Sequence, residues 1–172
     1  MIAPHSDGLQ AFTVTLLRCQ GEYLLLQRSP VKRLAPMRWT GLGGHVEADE
    51  YHTLRKSSLR EVQEEAGIQP DEITNYVLRR VLLVSRPRQT FSILFYYTGD
   101  LPAQVIPTCP EGTLHWKPES EFSGLDIIET TRPVLSLLVH DMREDPSGLE
   151  LPQIGMALFN SQEEYERVIW GS

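Results

Sequence analysis

Gly43-Gly-His-Val-Glu-Ala-Asp-Glu50-Tyr-His-Thr-Leu-Arg-Lys-Ser-Ser-Leu-Arg60-Glu-Val-Gln-Glu-Glu-Ala-Gly67-Ile, residues 43–68, is the stretch on which the fold turns. Its second half has helical periodicity. At about 100° per residue, Glu61, Glu64 and Glu65 fall on one face and Leu59, Val62 and Ala66 on another. Gly67 is placed to end the helix, because glycine takes a left-handed C-cap conformation without strain. The expected element is a helix with one packed side and one acidic side.

Three carboxylates on one helical face repel each other, at a cost of a few tenths of a kcal/mol per pair when exposed and more when desolvated. Two readings follow. The face is simply solvated, as most helical charge runs are, or a hard divalent cation gathers the three carboxylates, since Mg2+ and Mn2+ prefer carboxylate and water oxygens. Arg60 is placed to neutralise one carboxylate and aim it.

The surrounding residues weigh in favour of the cation. Gly43-Gly44 stands upstream, and Arg60 to Ile68 reads Arg-Glu-aliphatic-x-Glu-Glu-x-Gly-aliphatic at every position. This resembles the Nudix box, G-x5-E-x7-R-E-U-x-E-E-x-G-U with U aliphatic. The C-terminal half matches in full. In the N-terminal half, five residues lead from Gly44 to Glu50, but nine then separate Glu50 from Arg60 where the pattern has seven. A two-residue insertion is the simplest account; counting back from Arg60 puts His52 in the glutamate's place instead. In the family the first glutamate commonly anchors the helix arginine, so the partner of Arg60 is open. Extended backwards, the helical register puts Leu54 on the acidic face and Arg55 on the packed face. The spacing therefore predicts a helix that starts late or is distorted near residues 56–58, with Ser58-Leu-Arg-Glu61 as a capping box.

Upstream, Arg-Trp39-Thr40-Gly-Leu-Gly-Gly-His-Val-Glu is similar to the MutT-like branch of the family, whose members remove oxidised purine nucleoside triphosphates and commonly carry Trp-Asn-Gly-(Leu/Phe)-Gly-Gly. In some of them the asparagine hydrogen-bonds the base. Thr40 replaces it here, and one hydroxyl does not copy the paired donor and acceptor of an amide. Trp39 reads as a base-stacking ring or as a core anchor. Residues 28–36 form a loop held open by Pro30 and Pro36, in which Arg28, Lys32 and Arg33 concentrate positive charge; Arg28 and Arg33 are candidate phosphate contacts. Downstream, Glu111-Gly-Thr-Leu-His-Trp resembles a Glu-Gly-x-Leu-x-Trp run of the same branch, which makes Glu111 the candidate fourth carboxylate, ahead of Glu119 and Glu121. His115 reads as a strand-surface residue, and Arg86 and Arg88 as turn charges.

The rest of the chain supplies a scaffold. Residues 11–18 and 23–27 read as a hairpin, 75–85 and 89–98 as two long strands, 111–118 as a short strand, 134–142 as an amphipathic helix begun by Thr130-Thr-Arg-Pro133, and 154–159 with 165–170 as a C-terminal hairpin. That order suits an α+β or α/β/α sandwich, a mixed sheet covered by helices, and the resemblance implies the same. Residues 1–10 read as a flexible arm and 11–172 as a single Nudix hydrolase domain. The net charge of −7 argues against nucleic acid and anionic lipid as partners. No apolar run approaches the ~20 residues that span a bilayer, no secretory signal opens the sequence, and two cysteines without disulfide or zinc spacing fit a cytoplasmic protein. Monomer and homodimer are both open.

The resemblance implies hydrolysis of a nucleoside diphosphate linked to a group X, with Mg2+ (or Mn2+) as cofactor. Its ligands would be Glu61, Glu64 and Glu65 with the carbonyl of Gly43, Arg60 would position them, and Glu61 or Glu111 would take the proton from water. A normal or oxidised purine nucleoside triphosphate leads as substrate. ADP-ribose, a dinucleoside polyphosphate or a nucleotide sugar are alternatives of the same class. A non-catalytic nucleotide-binding module is the alternative of another class.

Overall fold

The first hairpin of the chain sets the frame. In the computed structural model, which describes residues 9–86, 89, 91–105 and 108–171, β1 (Gln10–Cys19) and β2 (Glu22–Arg28) pair antiparallel at the turn end, Leu17 with Leu24 and Cys19 with Glu22. Beyond Leu24 the two strands part. The chain enters that fork as β3 (Trp39–Thr40), antiparallel to β2, turns at Gly41, and runs out along β1. Backbone bonds seal the fork: Leu42 and Thr15 exchange N–H and carbonyl at 3.0 and 2.6 Å, and the Thr13 N–H donates to the Gly44 carbonyl at 2.9 Å. The glycine turn that precedes the acidic helix is thus hydrogen-bonded into the sheet.

The remaining strands extend this frame. After α1 (Leu54–Ala66) come β4 (Thr74–Val84) and β5 (Ser92–Asp100), an antiparallel pair whose β5 lies parallel to β1 from Gln10/Ser92 to Arg18/Asp100. β6 (Gly112–Pro118) pairs along the whole free edge of β2. α2 (Arg132–Glu144) follows, then the hairpin of β7 (Gln153–Phe159) and β8 (Tyr165–Trp170), with β7 parallel to β4. The mixed sheet runs β3-β2-β1-β5-β4-β7-β8 with β6 beside β2. Of the arm expected over residues 1–10, residues 1–8 lie outside the described residues, and Gln10 already belongs to β1.

Strand alternation sends side chains to two cores. Leu17, Leu24, Leu26 and Tyr97 face α1, where they meet Leu59, Val62 and Ala66. Leu16, Tyr23, Leu25 and Tyr96 face the other way and meet Val134, Leu135, Leu138, Val139 and Met142 of α2. A fully buried leucine contributes about 1.5–3 kcal/mol, so the two faces together clamp the helices to the sheet. The result is the expected α/β/α sandwich on a mixed sheet. No helix among the described residues is long and apolar enough to cross a membrane.

The start of α1 departs from expectation. The helix begins at Leu54 with Thr53 as N-cap, runs without a break through Lys56 to Ser58, and makes no capping box at Ser58. The reason lies in two buried serines, Ser57 and Ser58, both fully shielded from solvent. Ser58 sits mid-helix and shares a hydroxyl triangle with Thr15 (3.0 Å) and Tyr76 (2.5 Å), while Tyr76 reaches Thr15 at 2.8 Å. Ser57 donates to Glu50 at 2.8 Å. Polar residues that read as a helix start are held inside by partners from β1, β4 and the preceding turn. Gly67 caps the other end with φ +66°, its N–H bonded to the Gln63 carbonyl at 2.8 Å.

Candidate active site

α1 presents its acids to a cavity of about 470 Å³. Glu61, Glu64, Glu65 and Glu111 line it, together with Arg28, Thr40 and the Gly43-Gly44 turn. The glycines are required there. Gly43 has φ +144°, and a Cβ would strike the Thr13 carbonyl; at Gly44 a Cβ would be driven into the Glu61 carboxylate. Only a residue without a side chain allows backbone and carboxylates to approach this closely.

The three helix carboxylates differ in environment. Glu65 is 5% exposed and takes one hydrogen bond, from the Gly43 N–H at 2.7 Å. Burial, with some help from nearby Glu61 and against the pull of that bond, pushes its pKa up to about 7. Glu61 is also raised, first by burial, with Arg60 opposing. Glu64 is largely exposed. Arg60 bridges the last two, its Nη1 lying 2.7 Å from Glu61 and 3.0 Å from Glu64.

Glu50 holds Arg60. Its carboxylate takes a two-pronged bond, from Nε at 2.9 Å and from Nη2 at 2.8 Å. The Arg60 bonds, with burial opposing and Ser57 assisting, hold the Glu50 carboxyl down at about 2. His52 is exposed on the preceding turn, so the alternative count that placed it in the glutamate's role is set aside. The nine residues between Glu50 and Arg60 are taken up by that turn and by the first turns of α1, which bring the two side chains together.

A hard divalent ion suits this donor set. Four carboxylates line one cavity, and no cation lies within ion-pair distance of the buried Glu65 among the described residues. No three acidic, histidine or cysteine side chains among the described residues already form a cage. Arg60 bridges Glu61 and Glu64 where a metal ion would gather them.

The other expected residues divide. Arg28 and Thr40 line the cavity, and Lys32 forms an ion pair with Glu111 at its edge. Arg33 is exposed and Trp39 is turned away; neither lines the cavity. Trp39 instead packs against the α2-side core and His115, ring centres 5.2 Å apart, with Lys117 above it. The core-anchor reading of this tryptophan therefore accounts for its position. Arg86 is more than a turn charge: it pairs with Glu129 at 2.7 Å and lies over the Phe159 ring, while Arg88 lies outside the described residues. Glu119 and Glu121 sit in a 3-10 turn, Glu119–Gly124, and pair with Arg143 and Lys117. Sequence reasoning missed Arg38, which bonds Glu129 at 2.6 Å and the Ile127 carbonyl at 2.8 Å. Its partners lie some ninety residues away, and nothing local announces them.

The NUDIX domain family matches residues 9–138, about three quarters of the sequence. The chain belongs to the Nudix family. As a Nudix protein it is a pyrophosphohydrolase acting on nucleotide substrates with divalent metal. Solved structures similar to this Nudix chain include a mutator MutT protein from Bacillus halodurans, 20% identical over 94% of this chain and 97% of that one, with a TM-score of 0.68. Another is the E. coli dihydroneopterin triphosphate pyrophosphohydrolase, 20% identical over 77% and 95%, TM-score 0.61. A third is the NUDIX domain of Shewanella oneidensis NrtR, solved with ADP ribose, 20% identical over 79% and 86%, TM-score 0.52. At these identities the likeness is one of fold. No curated protein sequence gives a match.

Proposed function

We propose that this Nudix protein belongs to the MutT-like branch, carries a two-residue insertion between Glu50 and Arg60, and hydrolyses a normal or oxidised purine nucleoside triphosphate to the monophosphate and pyrophosphate. The observation that carries the reaction is the meeting of Glu61, Glu64, Glu65 and Glu111 in one cavity over the Gly43-Gly44 turn. Bound there by Glu61, Glu64 and Glu65 with the Gly43 backbone, Mg2+ or Mn2+ would neutralise phosphoryl charge and lower the pKa of water.

The chain's own groups do the rest. Arg60, fixed by Glu50, holds Glu61 and Glu64 in register on the cavity wall. Arg28 supplies a positive charge in the same cavity, suited to a phosphate oxygen. Glu61 and Glu111 are the two candidate acceptors of the proton from water; burial raises the pKa of Glu61, with Arg60 opposing. Each is paired with a cation, Glu61 with Arg60 and Glu111 with Lys32. Cys19 and Cys109 are free thiols, in keeping with the cytoplasmic setting we propose.

The test is a panel of nucleoside triphosphates, oxidised dGTP, ADP-ribose, a dinucleoside polyphosphate and a nucleotide sugar, each with and without Mg2+ or Mn2+. Metal-dependent cleavage of a purine triphosphate between the α and β phosphates supports the reading. Cleavage confined to ADP-ribose or another diphosphate replaces the substrate. No cleavage by folded, metal-binding protein replaces it with a nucleotide-binding module.

A further inference from the structure

The carboxylate cavity does not end at Thr40. A second chamber of about 520 Å³ continues from it, and the two share Phe12, Arg28, Leu94, Ile128 and Thr130. Phe12, Leu94 and Ile128 give the junction apolar walls, and the Tyr96 hydroxyl ties down the Thr130 carbonyl at 3.0 Å. A chamber of this size, apolar with a few fixed polar groups, is built like a site for a flat ring. Its far end carries Glu129, Arg38 and Arg86.

Glu129 is held from both sides. Arg38 Nη1 donates to one oxygen at 2.6 Å and Arg86 Nη2 to the other at 2.7 Å. Arg38 is itself fixed by the Ile127 carbonyl and Asp126, and Arg86 by the Phe159 ring. The carboxylate is still about one third exposed to the chamber. Two arginines cancel its charge toward an anionic ligand, and each oxygen keeps acceptor capacity beyond its one arginine bond. Burial works against ionisation here, but Arg38 and Arg86 outweigh it and hold the pKa at about 2. Glu129 is therefore an acceptor-only group throughout the neutral range.

We propose that this chamber receives the base of the substrate and that Glu129, clamped by Arg38 and Arg86, selects a ring edge bearing two adjacent N–H donors. Guanine and pterin share that edge, a ring N–H beside an amino group. Adenine and cytosine set a bare ring nitrogen beside the amino group, which faces a carboxylate lone pair, and uracil and thymine offer a single N–H between carbonyls. Oxidation at the opposite side of guanine leaves the edge unchanged, so Glu129 reads guanine and oxidised guanine alike. The inference rests on the hydrolase reading above for its orientation, phosphates toward α1 and base toward Glu129.

The test is equilibrium binding, which does not depend on turnover. The α,β-methylene analogues of GTP and ATP, whose α–β linkage resists hydrolysis, are titrated with Mg2+ into wild type and Glu129→Gln, with circular dichroism as the folding control. A charged acceptor paired with two donors is expected to favour the guanine analogue at least about tenfold, and Glu129→Gln to bring the ratio within about threefold while the adenine analogue binds as before. Equal binding of the two analogues by wild type, or an undiminished ratio in folded Glu129→Gln, overturns the proposal. Should that variant not fold, Arg86→Gln, which removes one side of the clamp, takes its place with the same expected narrowing. Titration of dihydroneopterin triphosphate beside the guanine analogue separates the two sources of the edge. Guanine preference without hydrolysis of GTP would sink the nucleoside triphosphate substrate proposed above and leave the subsite standing.

Discussion

Replacing Glu50 by glutamine should disable the site without touching any residue that lines it. The carboxylate holds Arg60 through two bonds of 2.8 and 2.9 Å and accepts from Ser57. Glutamine keeps one acceptor and removes the charge, so Arg60 loses the two-pronged bond and leans on Glu61, Glu64 and the His45 carbonyl. Both partners are partly open to solvent, which reduces the stability at stake to about 1–2 kcal/mol. For a chain of this length that is roughly 2–8 °C in melting temperature. The effect on function is larger, because residues that orient metal-binding groups typically govern about 10–100-fold in metal affinity or activity. The assay is kcat against Mg2+ concentration for Glu50→Gln and, beside it, His52→Ala. Glu50→Gln should need more Mg2+ and turn over at least about tenfold more slowly, whereas His52→Ala, exposed on the turn, should match wild type within about twofold. Wild-type behaviour of Glu50→Gln, or a matching defect in His52→Ala, would refute the assignment of Glu50 as the anchor of Arg60.

Metal-free protein should lose stability as pH rises through about 7, because folding raises the Glu65 pKa from its model-peptide value near 4.5 to about 7. Glu65 adds most below the lower value and its contribution is gone above the higher one; Glu65→Gln should flatten thermal melts in chelator between pH 5 and 8, by about 2–3 kcal/mol at the alkaline end. Gly43→Ala should cost more than about 2 kcal/mol and most of the activity, since a Cβ at φ +144° meets the Thr13 carbonyl; a melt unchanged from wild type would contradict this. Tyr76→Phe removes one corner of the buried hydroxyl triangle but leaves Thr15 and Ser58 bonded at 3.0 Å, so urea unfolding should show a loss of about 1–2 kcal/mol, with kcat retained.

Local features of the site were legible in the sequence. The period that put Leu59, Val62 and Ala66 on one face is the face buried in the structure, and Gly67 caps the helix in the left-handed conformation. The hairpins of β1/β2, β4/β5 and β7/β8 were visible in runs of β-branched and aromatic residues. What escaped were pairings between distant parts of the chain. Ser57 and Ser58 look like a helix start until Glu50, Thr15 and Tyr76 are brought against them. The fork that receives β3 depends on β1 and β2 parting after Leu24, which no periodicity encodes. Glu129 lies just ahead of α2, and only folding sets it between Arg38 and Arg86.

The most direct measurement is phosphorus NMR of GTP incubated with the protein, first in chelator and then with Mg2+. The account expects GMP and pyrophosphate to appear on adding Mg2+ and not before. Release of GDP and orthophosphate, or equal turnover in chelator, would contradict it.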